Sequence, residues 1–179
     1  MKVISGKYKG RVLKGFDLTG TRPTMDRVKE SLFGTIQNYI PNSVVLDLFA
    51  GSGNLGIEAL SEGASYAYLV DSNYKAISVI KENITNIGIT DIEVINSDYK
   101  QALKDFNLKF DIIFLDPPYN TNYIEESIKL ITKYDLLNSE GIIVCESDSL
   151  DKICYSEVFK KVKEKKYGDK YIVILQKIC

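Results

Sequence analysis

The chain has 179 residues, of which 45% are hydrophobic and 26% charged, and a net charge of −1. That length suits one compact domain with no separate substrate domain, and no apolar run approaches the roughly 20 residues that a membrane helix needs. Histidine is absent and the three cysteines, Cys145, Cys154 and Cys179, form no C-x-x-C pair, which excludes histidine-based catalysis and argues against a disulfide framework or a zinc site.

No basic-then-apolar leader opens the chain, so a cytoplasmic protein without a membrane or metal partner is expected. Residues 1–30 hold eight basic and three acidic side chains, net +5, whereas the remainder carries fifteen against twenty-one, net −6. Lys7, Lys9, Arg11, Arg22 and Arg27 in this basic end are candidate nucleic-acid contacts. A merely solvated basic face accounts for the charge equally well. "KVISGKYKGRVL" has short apolar stretches on either side of Gly6 and Gly10, as a small hairpin would. "TRPTMDRVKESLFGTIQ" predicts a helix, with Thr24 as N-cap, Asp26 in the first turn, and Met25, Val28, Leu32 and Ile36 at helical spacing.

From Ser43 onward, apolar runs alternate with helical patterns. "VVLDLF", "YAYLV", "IEVIN", "DIIFL" and "GIIVCE" predict strands, and helices are expected over "NLGIEALSEG", residues 74–87, and around 99–107 and 123–136. Ile77, Ile80, Ile84 and Ile87 repeat at 3, 4 and 3, and Gly88 supplies the stop. This alternation predicts a doubly wound α/β fold with a mostly parallel sheet. "FKKVKEKKYGDKYIVILQK" differs: two strand-like runs around Tyr167-Gly168-Asp169 predict an antiparallel hairpin at the C-terminal end. The chain thus divides into a basic extension, 1–40, and one unit over 41–179.

"LDLFAGSGNLG" ends a strand and starts a helix, and Gly51, Gly53 and Gly56 satisfy G-x-G-x-x-G. Glycines there let the backbone approach a ligand at a helix N-terminus. Asp71 follows 20 residues after Gly51 at the end of the next strand, where a carboxylate can accept both ribose hydroxyls. This much fits a dinucleotide as well as another adenosine cofactor. Asp47, inside the strand before the loop, is costly to bury unless a ligand cation meets it, and the chain has no room for a dehydrogenase's second domain. S-adenosyl-L-methionine, with ribose, adenine and ammonium, matches both acids. Phe49, Ser52, Ser72 and Tyr99 flank the same strand ends. Asp98, closing "NSD", reads equally as an acceptor for the adenine amine and as a helix cap.

"LDPPY" places Asp116 at the end of the fourth strand. Pro117 and Pro118 fix φ and stiffen the loop they open, so Asp116 and the Pro117 carbonyl form two acceptors at fixed separation. That pair suits an exocyclic amine, whose two N–H bonds it can hold so that the lone pair points at the methyl donor for an in-line displacement. Tyr119 can stack on the base, and a paired base would first be flipped out. Methylation at pyrimidine C5 is disfavoured, because it needs a cysteine nucleophile and none lies in this loop.

In their order and approximate spacing, "ISGKYKGRVL", "TRPTMDRVKESLF", "LDLFAGSGNLGIEALSEGA" and "DPPY" resemble the class I S-adenosylmethionine-dependent methyltransferases, most closely the RsmD-type family that methylates guanine N2 in bacterial 16S ribosomal RNA. "RPT-x-DRV-x-E-x-LF" is the specific part, whereas the glycine loop and "DPPY" are common to many amino-methyltransferases. The resemblance implies a Rossmann-like methyltransferase fold, cofactor contacts at Asp47, Gly51, Gly53, Asp71 and Asp98, a base held by Asp116, Pro117, Pro118 and Tyr119, and 16S rRNA or the small subunit as partner. It sets "RPT" over the cofactor's methionine end and Arg22 and Arg27 near RNA, although salt bridging within the fold explains either arginine equally. Family members often carry Phe where Tyr119 stands, and "NTNY" beyond it lacks the basic residues expected near a phosphate. An adenine-N6 methyltransferase is the nearest rival, without the recognition domain usual in DNA enzymes of that type. A release-factor glutamine methyltransferase usually has Asn where Asp116 stands. A non-catalytic nucleotide- or RNA-binding module would have no need of the amine clamp. No surplus hydrophobic element calls for an oligomer, so a monomer is expected.

Overall fold

The computed structural model describes residues 1–16 and 23–178. Seven strands, β1 (Val44–Asp47), β2 (Tyr66–Asp71), β3 (Ile92–Asn96), β4 (Phe110–Leu115), β5 (Leu137–Ser147), β6 (Phe159–Tyr167) and β7 (Lys170–Lys177), form one sheet in the order β3-β2-β1-β4-β5-β7-β6. β1 to β5 are mutually parallel, and β7 runs antiparallel to both β5 and β6. Among the described residues the α-helices are α1 (Pro23–Ile36), α2 (Asn54–Ser61), α3 (Tyr74–Ile87), α4 (Tyr99–Asp105) and α5 (Tyr123–Lys133). Strand order reverses between β1 and β4, which makes the crevice beyond their C-terminal ends the ligand-binding position of such a sheet.

Alternate residues of the central strands feed two apolar layers. Val45, Leu69, Ile112, Phe114 and Val144 pack with Phe33, Ile36, Ile57 and Ile80 of α1 to α3. Leu46, Val70, Ile113, Leu115 and Ile143 pack with Leu103, Ile124, Ile128 and Ile131 of α4 and α5. Strands buried on both faces cannot alternate apolar with polar, hence the continuous runs. α3 occupies the expected 74–87 and is closed by Gly88 at φ 83°, a left-handed cap that glycine adopts without a Cβ penalty.

The N-terminal stretch folds back on itself. Lys2 bridges Val12 in antiparallel fashion, and Val3 N donates to Arg11 O at 2.9 Å. This hairpin is fastened to α2 by the buried Glu58, whose carboxylate accepts from Ile4 N at 2.9 Å and Ser5 N at 3.2 Å and meets Lys29 Nζ at 2.9 Å. Lys29 and Glu58 side chains are 2% and 0% exposed, and Lys29 Nζ also donates to Lys2 O and Asn54 Oδ1, each at 2.7 Å. Gly6, at φ 82°, lies against the end of α2 so closely that a Cβ would sit 1.8 Å from Ser61 O.

Several expectations differ in detail. α1 begins at Pro23, a residue suited to the first helical position, so Thr24 lies within the first turn instead of capping it. Met25 is 38% exposed and does not join the apolar stripe that Val28, Leu32 and Ile36 form. β5 starts at Leu137, not at 141, and passes through Glu140 at φ 64°.

Candidate active site

The glycine loop is clamped at both ends by the acids that flank it. Gly56 N donates to Asp47 Oδ2 at 3.2 Å, and Gly51 N to Asp71 Oδ2 at 2.9 Å. Gly51 and Gly53 take φ of 58° and 85°, and Gly56 presses so tightly on β2 that a Cβ would meet Leu69 Cδ1 at 2.6 Å. The buried carbonyl of Ser52 accepts from Asn83 Nδ2 at 3.0 Å, and the same amide pairs with both backbone groups of Lys14. Asn83 of α3 therefore ties the loop to the N-terminal segment.

Asp47 is 1% exposed and its Oδ1 has no hydrogen-bond partner among the described residues. Burial pushes its carboxyl up to about 7; the Gly56 N–H opposes this and Asp71 adds to it. A buried carboxylate with one oxygen unpaired, beside a loop of left-handed glycines, fits a ligand that brings a cation to that point. Asp71 also accepts from Asn73 N at 2.8 Å, so the turn into α3 fixes its orientation, and Ser72 is exposed beside it.

Asp98 is the N-cap of α4: its Oδ1 accepts from Lys100 N at 2.9 Å and Gln101 N at 3.3 Å. The cap is therefore present and occupies Oδ1 alone. Tyr99 is 6% exposed, packed 5.2 Å from the Phe49 ring and 4.7 Å from that of Tyr123, centroid to centroid, and its hydroxyl donates to Glu126. Its ring is thus fixed in place beneath Phe49, and burial followed by Glu126 pushes the phenol above its usual range.

The pairing Asp47↔Phe114 puts Asp116, two residues on, across the β1/β4 crevice from Asp47. Burial, with Glu146 and Asp47 nearby and Lys170 opposing them, holds its carboxyl well above the usual range. Pro117 is buried, whereas Pro118 and Tyr119 are exposed. Thr121 Oγ1 donates to the Pro118 carbonyl at 2.8 Å and Asn120 turns the chain at φ 62°, so the loop's rigidity does not come from the prolines alone.

Two partners of this loop carry no signal in the sequence. Lys170 Nζ lies 2.7 Å from Glu146 Oε1 and 5.6 Å from the Tyr119 ring centroid. Burial works against the Lys170 charge, but Glu146, Tyr119 and Asp116 outweigh it and raise the ammonium above its ordinary value. Cys145, paired with Leu115 in the sheet, is fully buried, and burial alone pushes its thiol up, which leaves no thiolate there to attack carbon.

Of the predicted RNA contacts, Lys7 and Arg11 are held away from this edge. Lys7 N bonds Ser61 O at the far end of α2, and the Arg11 guanidinium donates to Asn86 O near the far end of α3. α3 has 14 residues and spans about 21 Å. Arg27 is exposed on α1, and Arg22 lies outside the described residues.

A family model described as Conserved hypothetical protein 95 matches residues 1–176. The Escherichia coli K12 protein named ribosomal RNA small subunit methyltransferase D is 35% identical over 148 residues, 83% of this chain and 75% of its own length. YlbH of Bacillus subtilis strain 168 is 45% identical over 152 residues, 83% of each chain. The solved structure of Escherichia coli yhhF superposes with a TM-score of 0.90 at 31% identity, covering 100% of this chain and 98% of that one. Matched nearly end to end, the chain belongs to the Conserved hypothetical protein 95 family, the RsmD-type methyltransferases.

Proposed function

We propose that the protein transfers a methyl group from S-adenosyl-L-methionine to the exocyclic N2 amine of a guanine in small-subunit (16S) ribosomal RNA. The observation that carries this reading is the pair of acids facing one crevice: Asp47, with a buried oxygen that has no partner among the described residues, and Asp116 on the stiff proline loop opposite. The small-subunit name of the Escherichia coli relative supports the choice of RNA.

Asp47 would take the cofactor's ammonium, Gly51, Ser52 and Gly53 its methionine end, Asp71 and Ser72 the ribose, and Phe49, Asp98 and Tyr99 the adenine side. When bound, the cofactor supplies a methyl group made electrophilic by its positive sulfur. Asp116 and the Pro117 carbonyl accept the two amine N–H bonds, which turns the nitrogen lone pair out of the ring plane toward the donor side. Tyr119 covers a face of the base, a contact worth about 1 to 3 kcal/mol. Asp116 then takes the proton released, a task that its raised affinity for protons favours.

RNA contacts fall into two groups on this reading. Lys165, Lys166 and Lys170 flank the hairpin tip at the catalytic edge and serve the phosphates next to the flipped base. Lys7, Lys9 and Arg11 reach only RNA that extends around to the other edge of the sheet.

The test is methyl transfer from labelled S-adenosylmethionine to unmodified small-subunit particles and to naked 16S RNA, followed by nucleoside mass spectrometry. N2-methylguanosine is expected. Methyladenosine would replace guanine by adenine-N6 as the target, and an unlabelled RNA would overturn the RNA reading.

A further inference from the structure

The register Leu115↔Cys145 between β4 and β5 carries one step further to set Asp116 beside Glu146. β7 delivers Lys170 to the same point through its antiparallel pairing with β5, Glu146↔Ile172 and Ser147↔Tyr171. Glu146 and Lys170 side chains keep 14% and 40% exposure, and Glu146 lines the same depression as Pro117, Tyr119 and Ile124. Three features of this arrangement ask for a ligand. Two carboxylates stand side by side, an acceptor surplus that a single ammonium does not balance. The pair sets a donor directly beside an acceptor, 2.7 Å apart, so two adjoining groups of opposite hydrogen-bonding character can be met there. And the pair faces the loop that holds the amine instead of bracing an outer surface.

A guanine presents N2–H, N1–H and O6 in sequence along its Watson–Crick edge: donor, donor, acceptor. With the N2 amine at Asp116, the next atoms along the edge need an acceptor and then a donor. Adenine has an acceptor at N1 and no oxygen beyond it, so the same array would leave Glu146 facing a lone pair. We propose that Glu146 accepts N1–H and Lys170 donates to O6 of the target base, making this pair the determinant of guanine specificity. The inference rests on the guanine reading above and adds residues that the glycine loop and the proline loop do not contain. Flipped bases are read in this manner, by hydrogen bonds to the Watson–Crick edge, and sites built to bond a polar group reject analogues that lack it.

The experiment compares an RNA substrate carrying guanine, 2-aminopurine or 2,6-diaminopurine at the methylated position. Both analogues keep the 2-amino group but lack N1–H and O6. The unaltered protein should prefer guanine by about 10- to 100-fold in kcat/KM, the worth of one or two charge-assisted hydrogen bonds. Glu146→Leu and, separately, Lys170→Met should shrink that preference to within about threefold, with S-adenosylhomocysteine affinity held within about twofold as the check on folding. Equal loss on all three bases in both variants, or no preference in the unaltered protein, would overturn the inference while leaving guanine methylation intact. Transfer to adenine N6 in place of guanine would overturn the guanine reading and this inference together.

Discussion

At the edge where β1, β2, β4 and β5 end, Asp47, Asp71, Asp116 and Glu146 are gathered with Lys170. At the opposite edge, over the ends of α2 and α3, lie Lys7, Lys9 and Arg11, held by backbone bonds to Ser61 and by the Arg11 contact with Asn86. A broader depression opens at that far edge too, lined by Asn42, Ser43, Asp111 and Glu140, but Asp111 spends its carboxylate on Val44 N and Asn138. At the first edge Asp47 Oδ1 is buried without a partner among the described residues, whereas both carboxylate oxygens of Asp111 at the second have one. Local charge thus does not separate the two regions; what does is one buried acid, Asp47, with an oxygen left unpartnered among the described residues.

The sharpest way to test that contrast is to remove Asp116. Asp116→Ala should lower turnover by about 10²- to 10⁴-fold, the usual worth of a positioned acid or base. Cofactor affinity should stay within a few-fold in calorimetric titration with S-adenosylhomocysteine. Retained turnover would mean that the amine is held by something else.

Glu58→Leu probes the other side. It leaves Lys29 buried without its carboxylate and strips Ile4 and Ser5 of an acceptor, so it should cost about 3 to 5 kcal/mol of stability. Thermal unfolding would show this as a fall of at least about 6 °C for a domain of this size. Turnover per folded molecule should change little. A large loss of turnover at unchanged Tm would instead show that the N-terminal fastening takes part in the site.

Asp47 gives the pH dependence. Because its carboxyl titrates near 7 in the fold and near 3.8 in the unfolded chain, the folded state holds the extra proton. That stability is complete below about 3.8 and is lost as pH rises through about 7. Binding of a cationic group should run the other way, since an ammonium is attracted only to the ionised acid. Affinity for S-adenosylhomocysteine should therefore climb by up to about tenfold from pH 6 to 8 and then level. Asp47→Asn should flatten this profile and weaken binding by about 10- to 100-fold. A profile that keeps its slope in the variant would assign the titration to another group.

The strands and helices were readable because a parallel sheet buried on both faces writes itself as apolar runs, and Ile77, Ile80, Ile84 and Ile87 with Gly88 as stop mark α3 without ambiguity. The strand-end positions of Asp47, Asp71 and Asp116 were readable for a related reason: each closes such a run. Glu146 and Lys170 were not, since they meet Asp116 only through strand registers that join residues 30 and 54 positions away, and register leaves no local trace in a sequence. Lys29, Glu58 and Asn83 look like ordinary polar helix residues until packing makes each a buried anchor. The place of the basic N-terminus was hidden in the same way, because charge can be counted along a chain while the edge to which it folds cannot.

The smallest effect asks which basic region meets RNA. β6 carries five lysines in nine residues and lies at the border of the sheet, where lysines also discourage edge-to-edge association. Its C-terminal end, Lys165 and Lys166, arrives on the side of the proline loop, because β6 runs parallel to β5 and the turn at Gly168 abuts the end of β5. If those lysines neutralise phosphates, reversing Lys163, Lys165 and Lys166 to Glu should reduce the slope of log affinity against log salt by about 2 to 3. The same reversal at Lys7, Lys9 and Arg11 should reduce it by about 1 or less, since that edge meets only RNA wrapping past α2 and α3. Equal slopes for the two triple variants would mean that RNA encloses both edges, and a larger effect at the N-terminus would reverse the assignment. Either reversal leaves Asp116 and Asp47 untouched, so a change in slope reports how RNA is held and not how the methyl group moves.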